Sequence, residues 1–331
     1  MTKKTILIIG SNSFSGSHFI NLLLEKNCRV IGLSRSKELN KAYLPYKSSK
    51  YLKNFFFYKT DLNKNLKKII KIIQKYKPSY VVNFSAQGMV AESWLKPEDW
   101  YRTNILSQVK LLNYLNSFKF IKRYLHVTTP EVYGSHKLWK KESNTFNPNT
   151  PYAISRAALD MHLQALNKVY NFPVIFTRTS NVYGPSQQLY RIIPKAIMVS
   201  LLNKKILLHG DGLSVRSFIY ITDACQANYK ILLKGKTGHT YHISTNNILS
   251  IKNLVFKISK LTKRNFDKFV KKVNERKGKD HSYKLNSDKL RKKLLWKDQI
   301  SLDQGLKLTF KWIKENFNFL KKQSLEYKHK I

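Results

Sequence analysis

The sequence predicts an α/β fold in which a doubly wound parallel sheet carries a smaller carboxyl-terminal lobe. Short β-branched runs alternate with amphipathic helical stretches four or five times in the first half of the 331 residues, as in parallel strands joined by right-handed crossovers. A glycine-containing turn follows the first run, and from about Pro185 the alternation becomes less regular. We therefore divide the chain into a first domain over 1–184, a second lobe over 185–317 that returns in part to the core, and a basic tail over 318–331.

The first strand and helix carry a dinucleotide-binding signal. Thr5 to Ile9 is an apolar run typical of a strand buried on both faces, and an amphipathic helix ends near Leu24. The turn between them resembles the Rossmann-type pyrophosphate site, with serine in place of the middle glycine. We assign its cofactor contacts to Gly10, Asn12, Ser13, Phe14 and Gly16. The alternative is an ordinary βα turn.

The second strand indicates which cofactor is bound. It runs from Arg29 to Leu33 and ends in Ser34 and Arg35, where an NAD-specific site carries an acidic residue for the ribose hydroxyls. Serine and arginine suit a 2′-phosphate instead, because guanidinium binds phosphate through two parallel hydrogen bonds. The cofactor is therefore NAD or NADP, with NADP favoured. Arg35 as a solvated loop residue is the alternative.

The next strands supply the remaining predicted cofactor contacts. Strands at Asn54–Tyr58 and Tyr80–Phe84 flank a helix at Leu66–Tyr76, and a long helical segment follows at Asp99–Asn116. The loop after the fourth strand contains small residues that let the backbone approach a cofactor closely. We assign further cofactor contacts to Asp61, Leu62, Ser85, Ala86, Gln87 and Asn104.

The fifth strand leads to the predicted catalytic residues. The apolar run Tyr124 to Val127 delivers Thr129 and Glu131 to its carboxyl end, the edge at which an open parallel sheet binds ligands. About twenty residues later, Thr150 as N-cap and Pro151 at the first helical position predict a helix that continues to Tyr170.

This helix presents a phenol and a cation one turn apart. Tyr152 and Arg156 stand at i and i+4, so both lie on one helix face. An adjacent positive charge lowers the pKa of a phenol from its usual value of about 10, which favours the phenolate. We therefore predict Tyr152 as a base and Arg156 as its cation. The alternative is a core helix with Tyr152 packed at its start and Arg156 solvated.

The second half of the chain is predicted to form a smaller lobe that grips the substrate. Its expected elements are a strand at Val174–Thr177, a helix near Arg191 and Lys195, a strand at Ile206–Leu208, a strand running into a helix capped by Thr222 or Asp223, and a packing helix from Leu302 to Phe317. Basic residues between Asn274 and Trp296 are expected on a solvated face. The last dozen residues are lysine-rich and expected to fray.

Composition excludes several functional classes. The formal net charge of +42 comes from lysines dispersed through every segment, without an arginine-rich arm, zinc-finger spacing or an aromatic RNA-binding signature. We therefore expect neither a nucleic-acid partner nor a metal site, although the basic surface would attract an anionic nucleotide. Cys28 and Cys225 are the two cysteines, and no apolar run approaches the roughly 18 residues of a membrane span. We expect a cytoplasmic protein without a membrane partner.

Seven motifs, in chain order, resemble the extended short-chain dehydrogenase/reductases, and among them the nucleotide-sugar 4,6-dehydratases of the NAD-dependent epimerase/dehydratase family. They are the Gly10 turn, VVNFSAQ, TTPEVYG, PYAISRAALD, RTSNVYGP, GDGLSVRSFIYITDA and ERKGKDHSYKLNSDKL, and they cover nearly the whole chain. The resemblance implies hydride chemistry on a nucleotide-linked hexose. It also implies a tightly bound NAD or NADP that is reduced and reoxidised within one turnover, and a homodimer formed through two helices per subunit.

The resemblance assigns roles to individual residues. Tyr152, assisted by Thr129, takes the proton of the sugar C4 hydroxyl while hydride leaves C4. Glu131 removes the C5 hydrogen, water departs from C6 and hydride returns to C6, which gives a 4-keto-6-deoxy sugar. The positions that match substrate contacts in relatives are Ser93, Glu131, Asn181, Arg191, Arg216 and Arg276.

The chain departs from the pattern of these relatives at two positions. Arg156 replaces a lysine that also binds the nicotinamide ribose, and Pro130 replaces the aspartate that protonates the leaving hydroxyl in dTDP-glucose dehydratases. Relatives acting on GDP-mannose also lack that aspartate and use the glutamate alone. The leading hypothesis is a nucleotide-sugar 4,6-dehydratase. The alternatives are a C4-epimerase or UDP-glucuronate-type decarboxylase of the same fold, and a non-catalytic cofactor-binding relative.

Overall fold

The protein combines one large parallel sheet with smaller sheets. The computed structural model describes residues 3–136, 138–274 and 282–329. Its strands are β1 (Thr5–Ile9), β2 (Arg29–Ser34), β3 (Phe55–Lys59), β4 (Tyr80–Asn83), β5 (Arg123–Thr128), β6 (Trp139–Lys140), β7 (Val174–Thr179), β8 (Asn181–Tyr183), β9 (Ile206–His209), β10 (Val215–Tyr220), β11 (Thr240–Ile243), β12 (Ile248–Ser250), β13 (Val270–Val273) and β14 (Lys284–Leu285).

Helices connect and cover these strands. They are α1 (Phe14–Glu25), α2 (Leu66–Tyr76), α3 (Pro97–Tyr101), α4 (Ser107–Ser117), α5 (Pro151–Tyr170), α6 (Ile192–Leu201), α7 (Ile221–Lys234), α8 (Ile251–Leu261), α9 (Phe266–Phe269), α10 (Asp288–Leu294), α11 (Leu302–Glu315) and α12 (Phe317–Leu320). Short 3₁₀ turns lie at Lys41–Tyr43, Pro45–Ser48, Leu52–Asn54, Ala91–Trp94, Pro130–Tyr133 and Gly210–Gly212, and a π-helical turn at Arg102–Leu106 joins α3 to α4.

The large sheet confirms the predicted fold class. Over the described ranges its strand order is β11-β7-β5-β4-β1-β2-β3, and every neighbouring pair is parallel. The chain moves outward from β1 in one direction through β2 and β3 and then in the other through β4, β5 and β7. This reversal opens a crevice above the carboxyl ends of β1 and β4, the place where such sheets bind ligands.

Alternation along β1 divides the core between two faces of the sheet. Ile6 and Ile8 pack into a cluster with α1, α7 and the smaller lobe, whereas Leu7 and Ile9 pack into a cluster with α2, α4 and α5. Both sets of side chains are at most 2% exposed. Because the first cluster continues into α6, α8 and α11, the lobe and the sheet share one apolar core.

Several predicted elements are confirmed at their bounds. β1, α2 and α5 begin and end where the sequence pattern places them. Thr150 caps α5 with its side chain, which accepts a hydrogen bond from the backbone N–H of Ala153 at 3.2 Å. A backbone N–H at the first helical position has no partner within the helix, so Pro151, which lacks this N–H, loses no hydrogen bond there.

Other predicted elements differ from the structure. The N-cap of α7 is Tyr220, so neither Thr222 nor Asp223 caps this helix. The carboxylate of Asp223 instead accepts a hydrogen bond from the backbone N–H of Ile300 at 2.9 Å, a partner distant in sequence. The predicted helix Asp99–Asn116 starts at Pro97 and is interrupted by the π-helical turn. The edge strand β11 had not been predicted.

Candidate active site

The turn between β1 and α1 brings two backbone segments into close contact. Gly10 has φ +87°, and a Cβ at this position would lie 2.8 Å from the backbone nitrogen of Ser85. A Cβ on Gly16 would lie 2.4 Å from the carbonyl oxygen of Gly10. Both positions therefore require glycine, and the N-terminus of α1 can lie close to a bound anion. Ser13 caps the helix by accepting a hydrogen bond from the N–H of Gly16 at 3.1 Å.

A cavity of about 620 Å³ lies above this turn and follows the crevice of the sheet. Its lining includes most of the predicted cofactor contacts, namely Gly10, Asn12, Ser13, Ser34, Arg35, Asp61, Leu62, Ser85, Ala86 and Gln87. These residues come from the ends of β1, β2, β3 and β4, so one elongated ligand can touch all of them. The glycine turn and this cavity together fit a dinucleotide.

Other predicted cofactor residues lie behind this surface. Phe14 is buried against the ring of His18, and Asn104 is fully buried. The Asn104 side chain accepts a hydrogen bond from the N–H of Gln87 at 2.7 Å and donates to Ser155 Oγ at 2.9 Å. Asn104 therefore ties the loop after β4 to α5. We expect it to position the cofactor site through that loop.

Four predicted catalytic residues converge at the carboxyl end of β5. The phenol of Tyr152 hydrogen-bonds to Thr129, and the charges of Glu131, Arg156 and Arg191 are close enough to act on that phenol. Glu131 follows Thr129 in the 3₁₀ turn after β5, and the Thr129 side chain accepts a hydrogen bond from its N–H at 3.4 Å. A hydroxyl, a carboxylate and a phenol are thus close together, and Arg156 links this group to Ser85, which lines the cavity.

The pKa of Tyr152 differs from our prediction. Burial raises it above the usual phenol value, and the Glu131 carboxylate raises it further. Arg156, the hydrogen bond from Thr129 and Arg191 act in the opposite direction, but they do not outweigh burial. Arg156 does lower this pKa, as its spacing from Tyr152 predicts, but the expected net lowering is wrong, because periodicity carries no information about burial.

Arg156 is buried beneath the end of the sheet, with 2% of its surface exposed. Its guanidinium donates to the backbone carbonyl of Val127 at 2.5 Å and to that of Ser85 at 3.5 Å. These carbonyls end β5 and follow β4, so Arg156 joins the two loops that flank the site. The alternative of a solvated Arg156 is wrong.

A network of buried polar side chains lies behind Arg156. Asp160 pairs with Arg178 at 2.9 Å and lies 3.4 Å from His126 Nε2. Arg178 also donates to the hydroxyl of Tyr133, which lies 2.8 Å from His242 Nε2. Burial opposes ionisation of Asp160, but His126 and Arg178 hold the pKa of its carboxyl below its usual range. The network supports α5 with paired charges, as burial requires.

Acidification is expected to weaken folding through His242. Burial, reinforced by Arg178, lowers the pKa of His242 to about 3, whereas an unfolded histidine titrates near 6.5. Below about pH 6.5 the unfolded chain binds a proton that the folded chain does not, so the free energy of unfolding decreases as the pH is lowered. Lowering the pH from 7 to 5.5 should reduce the free energy of unfolding by about 1 kcal/mol through this residue. Urea unfolding at both pH values measures this difference. The free energy of unfolding should depend less on pH in His242→Gln than in wild type, and an equal dependence would contradict the prediction.

The predicted substrate residues lie on both sides of the site. Ser93 is fully buried, and its hydroxyl accepts a hydrogen bond from the N–H of Tyr152 at 3.2 Å, which fixes the start of α5. In the lobe, the hydroxyl of Tyr283 donates to the Asn181 side chain at 2.9 Å, and the Arg216 guanidinium lies 4.6 Å from the Tyr283 ring centre. Asn181 and Arg216 are therefore neighbours that both contact Tyr283. Arg276 lies outside the described residues.

Sequence reasoning missed one group near the cavity. Tyr190, Gln323 and Tyr327 also line it, and Tyr327 comes from the segment that we expected to fray. The expectation of a frayed end is wrong for Tyr327 and His329, which make side-chain hydrogen bonds to Gln87. The signal available in the sequence was the presence of aromatic residues, such as Tyr327, in this lysine-rich segment, because they favour packing over fraying.

Residues 3–136, 138–274 and 282–329 contain neither a membrane-spanning helix nor a cluster of metal-binding side chains. No helix there combines the length and apolarity needed to cross a bilayer. Over the same ranges, no group of three or more histidine, cysteine, aspartate or glutamate side chains is placed to hold a metal ion.

Comparison with known proteins agrees with this site. The family model described as GDP-mannose 4,6 dehydratase matches residues 7–309. A human dTDP-D-glucose 4,6-dehydratase is 32% identical over 335 residues, covering 95% of this chain and 91% of that protein. A dTDP-glucose 4,6-dehydratase from Streptomyces venezuelae, solved with NAD bound, has a TM-score of 0.88 at 29% identity, covering 95% of this chain and 98% of that one.

An epimerase has a similar structure. The UDP-glucose 4-epimerase of Thermotoga maritima, solved with UDP-glucose, has a TM-score of 0.85 at 26% identity, covering 95% of this chain and 99% of that one. The resemblance drawn from the seven motifs is therefore confirmed. Since the family model spans both the sheet and the lobe, this chain belongs to the GDP-mannose 4,6-dehydratase family, among the extended short-chain dehydrogenase/reductases.

Proposed function

We propose that the protein is a nucleotide-sugar 4,6-dehydratase that converts a nucleotide-linked hexose into its 4-keto-6-deoxy derivative. The observation that carries this proposal is the meeting of Thr129, Glu131 and Tyr152, next to an arginine, Arg156, that bonds to Ser85 in the wall of the cavity. Relatives over nearly the whole chain are dTDP-glucose 4,6-dehydratases. The reaction class would be a carbon–oxygen lyase, because water is eliminated without net oxidation.

NAD fits this site, in keeping with the similar dehydratases that were solved with NAD bound. When bound, NAD would supply the hydride acceptor for C4 of the sugar and, once reduced, the hydride donor for C6. Our prediction of an NADP preference still rests on Ser34 and Arg35, which line the cavity. Titration of the apoprotein with NAD⁺ and NADP⁺ compares the two, and tighter NADP⁺ binding is the expected result.

The first task of the residues is removal of a proton from the C4 hydroxyl. Tyr152 is the base, and Thr129 orients its oxygen through their hydrogen bond. Arg156 and Arg191 stabilise the phenolate, while Glu131 opposes it. A phenol balanced between these charges holds its proton at rest and can exchange it with a hydroxyl placed against it.

The second task is elimination of water across C5 and C6. The new C4 ketone acidifies the C5 hydrogen, which the Glu131 carboxylate removes. Pro130 has no acidic group, so we assign protonation of the departing C6 hydroxyl to Glu131 as well. The same carboxyl group would thus take one proton and deliver it to the leaving oxygen.

A product assay tests the proposed function. The purified protein is incubated with dTDP-glucose, UDP-glucose and GDP-mannose, and the product masses are measured. We expect loss of water and a 4-keto product from at least one of them. An unchanged mass with an altered sugar would indicate an epimerase, which the Thermotoga structure makes the second candidate. No product from any of them would contradict the proposal.

We also propose a homodimer that forms through the outer faces of α4 and α5. Large apolar side chains are exposed there, with Tyr114 at 48%, Met161 at 57% and Val169 at 65%. Exposed apolar surface on two neighbouring helices favours burial against a second copy. Cys28 and Cys225 are buried free thiols, which supports the further proposal of a cytoplasmic protein.

The dimer proposal predicts a change of mass in solution. Met161→Glu places a charge in the centre of the proposed interface and should shift the protein from dimer to monomer. Light scattering after size exclusion measures this mass. Leu308→Glu, on the surface of α11, is the matched control and should leave the dimer intact. A monomeric wild type, or a dimer that survives Met161→Glu, would contradict the proposed interface.

A further inference from the structure

The carboxyl-terminal segment 323–329 crosses the mouth of the cofactor cavity, and we call it the strap. It follows the short helix α12 and contacts both sides of the crevice. Its contacts involve residues that are far apart in sequence from the strap and from each other. The strap is thus placed by tertiary contacts rather than by local structure.

One end of the strap is held by the loop after β4 and by α3. The ring of His329 stacks on that of Trp100, with centroids 4.9 Å apart and planes at 6°. Its Nε2 lies 2.8 Å from a carboxylate oxygen of Asp99, and its Nδ1 lies 3.0 Å from the Gln87 side-chain nitrogen. Stacking and two polar contacts together fix this end.

The other part of the strap is held by the lobe. Glu326 pairs with Lys195 of α6 at 2.7 Å. The ring of Tyr327 meets that of Tyr190 edge to face, with centroids 5.3 Å apart. The hydroxyl of Tyr327 also accepts a hydrogen bond from the side chain of Gln87 at 2.9 Å, so this residue spans the crevice.

The strap and the floor of the crevice line the same cavity. Gln323 and Tyr327 line the cavity that Gly10, Arg35 and Asp61 also line. A dinucleotide lying along that floor would have the strap against its outer side. The cavity volume of about 620 Å³ leaves room for such a ligand on the inner side of the strap.

We propose that the strap is part of the cofactor-binding site and retains the nicotinamide cofactor, so that the cofactor enters and leaves only when Tyr327 and His329 release their contacts. The reaction needs this retention, because hydride taken from a sugar must return to the same sugar. The strap contacts are few and partly exposed, so local opening without global unfolding is physically accessible. This proposal rests on the binding of NAD and is independent of which sugar is the substrate.

Cofactor exchange kinetics test the proposal. NADH is bound to the full-length protein and chased with excess NAD⁺, and its release is followed by fluorescence. In Tyr327→Ala/His329→Ala, the rates of both release and binding should rise about tenfold or more, because the strap no longer has to break these contacts before the cofactor moves. Tyr327→Phe keeps the ring and removes the hydrogen bond to Gln87, so a rise of about two- to tenfold is expected.

Lys322→Ala, exposed and just outside the strap, is the matched control and should leave both rates unchanged. Thermal unfolding of each variant verifies that the fold is intact. Unchanged exchange rates in folded Tyr327→Phe and the double variant would overturn the proposal. The proposal would also be overturned if the wild-type protein exchanged NADH as fast as the double variant. Failure of the sugar assay would leave these rates as they are, so the two proposals fail separately.

Discussion

Glu131→Gln should stop the reaction after oxidation at C4. The amide keeps the size of the side chain but can neither remove the C5 hydrogen nor protonate the departing hydroxyl. We expect kcat for the 4-keto-6-deoxy product to fall roughly 10²- to 10⁴-fold, the usual contribution of a general acid or base. Since Pro130 offers no second acid, the loss should lie at the upper end. Reduced cofactor should accumulate, and its absorbance should mark the blocked step.

The control for this carboxylate is Glu98→Gln, on the exposed surface of α3. It removes one negative charge outside the site and should leave kcat unchanged. Full dehydration by Glu131→Gln would show that another group supplies the proton. In that case the assignment of both proton transfers to Glu131 would be wrong.

Tyr152→Phe should block the reaction one step earlier. Without the phenol oxygen, the C4 hydroxyl has no base, so neither product nor reduced cofactor should form. We expect the rate of C4 oxidation to fall roughly 10²- to 10⁴-fold. The absence of reduced cofactor in Tyr152→Phe and its accumulation in Glu131→Gln together assign the two residues to successive steps. Single-turnover absorbance measurements distinguish the two variants.

Tyr170→Phe, at the exposed end of the same helix, is the matched control and should behave as wild type. The raised pKa of Tyr152 gives a further expectation. The rate of C4 oxidation should increase with pH above neutrality in wild type, because a larger fraction of the phenol is then ionised. A rate in Tyr152→Phe equal to that of wild type would remove Tyr152 from the mechanism.

Much of the sheet could be predicted because its signals are local. β1 is an uninterrupted apolar run, and α5 has both a threonine cap and a proline at its first position. Gly10 was predictable for the same reason, since a turn between a buried strand and a helix leaves little room for a side chain. In each case the physical cause acts between residues that are close in sequence.

Contacts between distant segments were not predictable in this way. Asp223 looks like a helix cap, yet its carboxylate bonds to Ile300. Tyr327 lies in a lysine-rich tail, yet it packs on Tyr190 at the cofactor cavity. Neither partner can be read from local pattern, because each is brought near only when the lobe folds onto the sheet.

The amino-acid pattern by itself determined the parallel sheet, the glycine turn after β1, and the presence of a phenol and a carboxylate at one sheet edge. Only the tertiary structure decided the pKa direction of Tyr152, the burial of Arg156 and the position of the strap. The reason is physical. Strand and helix patterns arise from neighbouring residues, whereas desolvation and charge pairing depend on everything that surrounds a group in space.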